Sequence, residues 1–282
     1  MSAEHELTVL CAALDVTRSG YYAWVKAGAS GHEQADALLR PQIQELHRLH
    51  QGRYGAPRIH DQLAKQGMKH GCKRIARLMK QAGLRGLSPK RYVPQTTRSD
   101  HEQPIAPNRL AERVAPDGPN QIWVNDLTYV RTDEGWLYAA VVMDLWSRKI
   151  VGWATGPSLH AALSGNALQM ALKQRRPARG LLHHSDRGVQ YASREHRDLL
   201  QAAGMEPSMS RAGNPYDNAA MESFMATYKR EGVGRAEAQG GYATRAEATE
   251  DFFDYVEKYY NRVRIHSALG YQTPVDFENQ LN

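Results

Sequence analysis

A chain of 282 residues, 41% hydrophobic and 23% charged, is long enough to bury the cores of two or three globular domains. It holds no apolar run near the ~20 residues of a membrane span, no signal-peptide pattern, and only Cys11 and Cys72, too few for a disulfide framework or a Cys₂His₂ zinc site. The net charge of +6 is uneven, with 18 Lys/Arg against 11 Asp/Glu in residues 1–118 and 18 against 19 in residues 119–282.

Residues 4–26 read as a short helix, a turn near Val16–Gly20 and a second helix carrying Tyr21, Tyr22 and Trp24. Few basic side chains lie here, which favours a docking hairpin over the remnant of a helix-turn-helix. Leu38, Leu39, Ile43, Leu46 and Leu49 give the next helix an apolar stripe. Tyr54-Gly55-Ala56-Pro57 opens another, with Pro57 suited to a first turn. After a break bracketed by Gly67 and Gly71, Lys73 to Lys80 forms a helix with Ile75, Leu78 and Met79 inside and bases outside. Between Asp61 and Asp100 there are ten basic residues and no acidic one. A helix, a short break and a basic helix make a helix-turn-helix-like unit, so Lys73, Arg74, Arg77 and Lys80 are candidate DNA contacts. A solvated basic surface, or contact with RNA, is the alternative.

From Ser88 to Pro119 six prolines interrupt any periodicity, as in a linker or extended arm. Ile122–Val130, Trp136–Trp146 and Lys149–Ala154 then read as strands, the second apolar enough to be central. A helix over 160–173, a strand Leu181–Asp186, a helix over 193–203 and a strand near Met205–Met209 follow, giving a mixed sheet flanked by helices. Gly213-Asn214-Pro215 reads as a turn and Asp217 as the cap of a helix. On that helix Asn218, Glu222 and Lys229 share one face within ~40°, beside an apolar face of Met221, Phe224, Met225 and Tyr228.

If the first and fourth strands are neighbours, Asp126 and Asp186 emerge together and the later helix can bring Glu222 to them. Carboxylates so placed repel one another unless cations neutralise them. Hard oxygen ligands suit Mg²⁺ or Mn²⁺, and two such ions ~4 Å apart support phosphoryl transfer. Either aspartate alone reads as well as a capped, hydrogen-bonded structural residue of its strand. Asp144 is read as structural, paired with Arg148, and His183 and His184 point to opposite faces. Arg262, Arg264 and His266 form a late basic cluster that either touches DNA or closes the domain.

The words around these residues resemble a family. Trp123-Val124-Asn125-Asp126-Leu127-Thr128-Tyr129, Gly135-Trp136-Leu137-Tyr138, Asp144-Leu145-Trp146-Ser147-Arg148-Lys149 and Val151-Gly152-Trp153 resemble DDE transposases of the insertion-sequence-three family, downstream-frame product. His184-Ser185-Asp186-Arg187-Gly188-Val189-Gln190-Tyr191 resembles its second acidic motif, and Ser208-Met209-Ser210-Arg211 with Gly213–Glu231 its third. The tail, Tyr260-Asn261-Arg262 and His266 through Pro274, is similar too. Asp186 and Glu222 are separated by 35 residues, the spacing that names the wider transposase and retroviral-integrase superfamily, and Lys229 stands where a basic residue is expected. Tyr228 stands where Leu is more usual and Met225 where an aromatic is common, and the His-Cys zinc module of retroviral integrases has no counterpart.

The resemblance implies an α/β fold: an RNase H-like mixed-sheet catalytic core preceded by an all-α helix-turn-helix-like domain. It implies a DDE polynucleotidyl transferase that cleaves and joins DNA at insertion-sequence ends. Asp126, Asp186 and Glu222 would be catalytic and would ligate two Mg²⁺ ions, for which Mn²⁺ can substitute. Lys229, Arg187 and Arg264 join the candidate DNA contacts, and Asn218 and His184 stand as supporting residues behind the carboxylates. The expected partners are double-stranded DNA (terminal repeats and target), further copies of the chain on that DNA, and an upstream-frame helix-turn-helix protein as fusion partner, with movement through a circular intermediate. No membrane partner is expected, and the place is the bacterial cytoplasm, on the nucleoid when DNA-bound. The expected divisions are a helical segment 1–30, a DNA-binding domain 31–92, a linker 93–118, a catalytic core 119–235 and a helical tail 236–282. The alternative is a non-catalytic DNA-binding regulator of the element; a nuclease without joining activity is a lesser one.

Overall fold

The computed structural model describes residues 6–87, 103–211 and 218–280. The chain divides into two compact units, Met1–Leu87 and Ser88–Asn282. Among the described residues, no helix is long and apolar enough to cross a membrane.

The first unit is helical: α1 (Leu7–Ala13), α2 (Arg18–Lys26), α3 (Gly31–Leu49), α4 (Ala56–Lys65) and α5 (Cys72–Gln81). Ser30 opens α3 with a capping box, its hydroxyl accepting the Glu33 N–H while the Glu33 carboxylate accepts the Ser30 N–H. Leu39, Ile43 and Leu46 of α3 are buried, as are Ile59 and Leu63 of α4 and Ile75, Leu78 and Met79 of α5. Leu38 and Leu49, expected on the same stripe, are 77% and 63% exposed. The buried positions of α3 fall at Asp36, Leu39, Ile43 and Leu46, and Leu38 is rotated ~100° from that row. The buried carboxylate of Asp36 accepts from Arg74 Nε at 2.7 Å and from an Arg77 terminal nitrogen at 2.6 Å. Two basic side chains of α5 are therefore drawn inward to fasten it to α3.

The second unit is built on one five-stranded sheet: β1 (Ile122–Thr132), β2 (Gly135–Asp144), β3 (Ile150–Gly156), β4 (Leu182–Ser185) and β5 (Glu206–Met209), in the order β3-β2-β1-β4-β5. The first three strands form an antiparallel meander, and β4 and β5 run parallel to β1. Between and beyond them lie α6 (Ala161–Arg175), α7 (Val189–Ala192), α8 (Arg194–Ala202), α9 (Ala219–Tyr228), a π-helical turn at Lys229–Val233, α10 (Gly234–Ala238), α11 (Arg245–Phe253), a π-helical stretch at Asp254–Tyr260, and α12 (Pro274–Asn279). The expected strands and long helices stand within a few residues of their places; α7 and the π-helical turns carry no local pattern that announces them.

Strand alternation divides the core into two layers. Val124, Val130, Ala139, Val141 and Met143 face α9, α11 and the second π-helical stretch, meeting Met221, Phe224, Tyr228 and Phe252. Trp123, Ala140 and Val142 face α6 and α8, meeting Ala167, Leu168 and Leu200. Both sides of β2 are covered, which is why its sequence is apolar without alternation. Gly152 of β3 lies under α6 so closely that a Cβ would clash with the Ala167 carbonyl. From Gln103 the Pro-rich stretch is not a free linker. The Arg109 and Leu110 N–H groups donate to Ser208 Oγ, and the Arg109 and Arg113 guanidiniums bind Glu206 on the edge strand β5.

Candidate active site

The parallel ladder between β1 and β4 pairs Ile122 with Leu182 and Val124 with His184. That register carries Asp126, inside β1, and Asp186, just past the end of β4, each two residues further on, to neighbouring positions on adjacent strands. Past Val124 and His184 the ladder stops, so the two carboxylates stand where the strands part. Asp186 Oδ1 accepts the Gly188 N–H at 2.9 Å, turning the chain toward α7, and Asp126 Oδ1 accepts the Leu127 N–H at 2.8 Å. Glu222 lies in the first turn of α9, exposed, on a helix anchored by Met221, Phe224, Met225 and Tyr228.

These groups share one electrostatic field. Burial and the neighbouring charge of Asp186 push the Asp126 carboxyl up to about 7; Glu222 adds to the rise, and the Leu127 N–H and Lys229 offset it in part. Partial burial also raises Glu222. No three His, Cys, Asp or Glu side chains among the described residues are gathered closely enough to grip a metal ion together. The donor set is nonetheless all carboxylate oxygen, with an excess of negative charge at Asp126, and so fits a hard divalent cation in its chemistry.

The other sequence-predicted residues fall into three groups. Lys229 is exposed, acts on Asp126 through its charge, and holds Nζ 4.8 Å from the centre of the Tyr129 ring. Arg187 is half-buried and donates from Nε to the Ser210 carbonyl at 2.8 Å. Lys73 and Lys80 are exposed on α5, whereas Arg74 and Arg77 are tied to Asp36.

His184 and Asn218 brace the strands. The buried His184 ring is held between Ser208 Oγ at 2.8 Å and Ser210 Oγ at 3.0 Å, fastening β4 to β5 and leaving it no route to DNA. Asn218 occupies the N-cap position of α9 but makes no side-chain cap bond. Its amide donates to the Asn125 carbonyl at 3.2 Å, tying the start of α9 to β1 one residue before Asp126. Asp217 and the turn at Gly213–Pro215 lie outside the described residues.

Two expectations are corrected. Arg264, expected either to touch DNA or to close the domain, is buried and closes it, with Nε and a terminal nitrogen donating to Glu231 at 2.9 and 3.0 Å, inside the π-helical turn that follows α9. Asp144 is structural, but its partner is not Arg148. Its oxygens accept the Asn120, Trp146 and Ser147 N–H groups and the Ser147 hydroxyl.

Sequence reasoning missed Tyr191 on α7. Its side chain is buried and its hydroxyl has no protein partner among the described residues. Burial, then the charges of Asp126 and Asp186, keep its proton on far above the usual tyrosine range. Only its place in the motif that begins at His184 could have flagged it.

An integrase core domain model matches residues 116–215, a second integrase core model matches 203–274, and an HTH-like domain model matches 33–92. An insertion element IS600 31 kDa protein of Shigella sonnei is 43% identical over 97% of this chain and 98% of its own length. The transposase InsF for insertion sequence IS3A of Escherichia coli K12 is 38% identical over 99% of this chain and 96% of its own. The chain belongs to the insertion-sequence-three family of transposases. Its core is the RNase H-like integrase fold, its activity is that of a polynucleotidyl transferase, and its HTH-like and integrase parts make DNA its partner. Among solved structures, a chain of the simian T-cell lymphotropic virus intasome in complex with a PP2A regulatory subunit aligns at TM-score 0.49 and 14% identity, covering 84% of this chain and 74% of that one.

The Glu231–Arg264 pair sits at 2% and 7% side-chain exposure, so removing one partner strands a buried charge. Arg264→Met is expected to cost about 3–5 kcal/mol in urea unfolding, with much of the loss recovered when Glu231→Leu is added. Unchanged stability together with weakened DNA binding would return Arg264 to the DNA-contact group.

Proposed function

We propose that this transposase uses Asp126, Asp186 and Glu222 as its catalytic carboxylates, to cut a 3′ strand at its element's ends and join it to a target. The observation that supports this reading is the β1–β4 register, in which Asp126 and Asp186 stand two residues beyond paired positions of adjacent strands, in a field to which Glu222 and Lys229 contribute. The three carboxylates would hold two Mg²⁺ ions, or Mn²⁺ in their place. When bound, such ions lower the pKa of an attacking hydroxyl and neutralise the leaving oxyanion.

The chain's own groups position the reaction. In cleavage, water adds to the phosphorus as the bond to the 3′ oxygen breaks, leaving a 3′-OH. In joining, that 3′-OH forms the new bond and the target's 3′ oxygen departs. No covalent enzyme intermediate is needed, because water and the 3′-OH are the nucleophiles. Lys229, exposed beside Asp126, places an ammonium where the reacting strand's phosphate must come. Asn218 and His184 set the strand and helix positions from which the carboxylates project. Arg187 reaches the same surface from the loop after β4.

On the first unit, Lys73 and Lys80 are the bases of α5 best placed for backbone phosphates, with Arg77 half engaged by Asp36 and Arg74 mainly structural. The substrates are the element's terminal repeats and target DNA, acted on by several copies of the chain together, with an upstream-frame helix-turn-helix protein as fusion partner. The place is the bacterial cytoplasm, on the nucleoid.

Strand transfer with labelled terminal-repeat DNA and Mg²⁺, run with wild type and Asp186→Asn, tests the assignment. Joined product is expected from wild type and none from Asp186→Asn; equal product from both would remove Asp186 from the site. Lys73→Gln and Lys80→Gln are expected to weaken binding across sequences, each lowering the slope of log affinity against log salt by about 1. An unaltered slope would take α5 off the DNA.

A further inference from the structure

Beyond the carboxylates, the outer end of the β1–β2 hairpin carries Tyr129, Arg131 and Trp136, which the chemistry above does not use, and Lys229 reaches this strip from the site. Tyr129 pairs with Tyr138 and Arg131 with Trp136 across the antiparallel ladder, so all four side chains lie on one face. Tyr129 is 50% exposed and Trp136 42% exposed, and their rings meet edge to face with centres 5.1 Å apart. A cation lies over each: Lys229 Nζ 4.8 Å from the Tyr129 ring centre and the Arg131 guanidinium 5.7 Å from that of Trp136. An exposed Tyr–Trp pair flanked by two cations is an unusual use of surface, since burial would reward the rings and carboxylates would serve the cations better.

The strip is next to the site and rigidly held. Tyr129 is three residues from Asp126 along β1, ~10 Å at the strand rise, or about three stacked nucleotides at 3.4 Å each. Asp126 faces the α9 layer and Tyr129 the opposite side, but the ladder to β4 ends at Val124, so β4 does not pair with the strand edge between them. Lys229 spans that edge, acting on Asp126 through its charge and covering Tyr129 with its ammonium. The hairpin is pinned from below by Arg245 at the start of α11. Its guanidinium donates to the Trp136 carbonyl at 3.0 Å and the Glu134 carbonyl at 2.6 Å, while its N–H donates to the Glu134 carboxylate at 2.9 Å.

We infer that Tyr129 and Trp136 form a stacking platform for an unpaired nucleotide flanking the scissile phosphate, with Lys229 and Arg131 taking the adjoining phosphates. The inference rests on the proposed DNA chemistry at Asp126, Asp186 and Glu222. Base faces stack on aromatic rings without regard to sequence, and a strand path that alternates aromatics with bases is what single-stranded DNA requires. In the DNA-free protein the two cations cap the rings. Phosphates would draw the cations off and bare the faces for a base. Because the hairpin is pinned beforehand, little ordering is needed when the strand arrives.

The test compares two fluorescein-labelled terminal-repeat duplexes, one blunt and one with its last three nucleotides mispaired, by anisotropy at fixed salt. Wild type is expected to bind the frayed DNA more tightly. Tyr129→Leu and Trp136→Leu should each lose about fivefold or more on frayed DNA while keeping the blunt affinity, and Tyr129→Trp should keep both. Equal affinity of wild type for the two DNAs would overturn the platform, as would unchanged binding in the Leu variants or an equal loss on both DNAs. Strand transfer by wild type on the same frayed DNA separates the two layers of argument. Product formed undiminished by the Leu variants removes the platform and leaves the catalytic reading intact. No product from wild type removes the reading on which the platform rests.

Discussion

The second unit depends on one register, the parallel pairing of β1 with β4. A parallel neighbour fixes an offset between two distant stretches of sequence, here 60 residues from Val124 to His184, and every residue beyond inherits it. Asp126 and Asp186 are neighbours because of that offset. A slip of one residue would turn one carboxylate to the opposite face of the sheet. The register is held by burial on both sides: Trp123 and Leu182 are fully covered, and the His184 ring is locked between Ser208 of β5 and Ser210 just beyond it. Where the ladder ends, the two strands separate and the two aspartates lie between them.

The cost of this arrangement is electrostatic. Asp126 is crowded by a second carboxylate with a third on α9, and its proton is held up to about 7 by burial and by those charges. A structural carboxylate is treated otherwise here. Asp36 receives two arginines, Glu231 receives Arg264, and Glu278 receives Arg175, Lys149 and Ser147. Three acidic groups away from the site are paired with bases, whereas Asp126 is surrounded by further carboxylates, with Lys229 offsetting part of their charge.

Much of the second unit was legible because its signals are local. β2 announces itself by an unbroken apolar run, β1 by its β-branched and aromatic residues, α9 by an apolar face beside Glu222. The identity of the fold came from motif words rather than from periodicity, which allows many mixed sheets. What stayed hidden was long-range pairing. Arg74, Arg77 and Arg264 are basic residues in basic surroundings, and nothing nearby in sequence says that Asp36, 38 residues before Arg74, or Glu231, 33 before Arg264, turns them inward. Leu38 and Leu49 were misplaced because an apolar stripe two residues wide can be rotated without breaking its period. Asp144 kept its structural role with backbone partners in place of Arg148, since adjacency in sequence suggested the ion pair and the turn geometry prevented it. Tyr191 carries no signal beyond its position in the motif that begins at His184 until the sheet brings α7 beside the two aspartates.

The central claim is that Asp126, Asp186 and Glu222 share a field of negative charge that a divalent cation relieves. A carboxyl whose folded value is raised from 3.8 to about 7 binds its proton more tightly in the fold than in the unfolded chain. Ionised Asp126 therefore subtracts stability as pH rises through this range, fully so above about pH 7. Thermal unfolding of wild type and Asp126→Asn at pH 8, in EDTA and in Mg²⁺, reads this directly. The account predicts that Asp126→Asn melts above wild type in EDTA, and that Mg²⁺ raises wild type by several degrees while moving the variant little. An Asp126→Asn protein that melts below wild type in EDTA and still gains the full Mg²⁺ shift would contradict it.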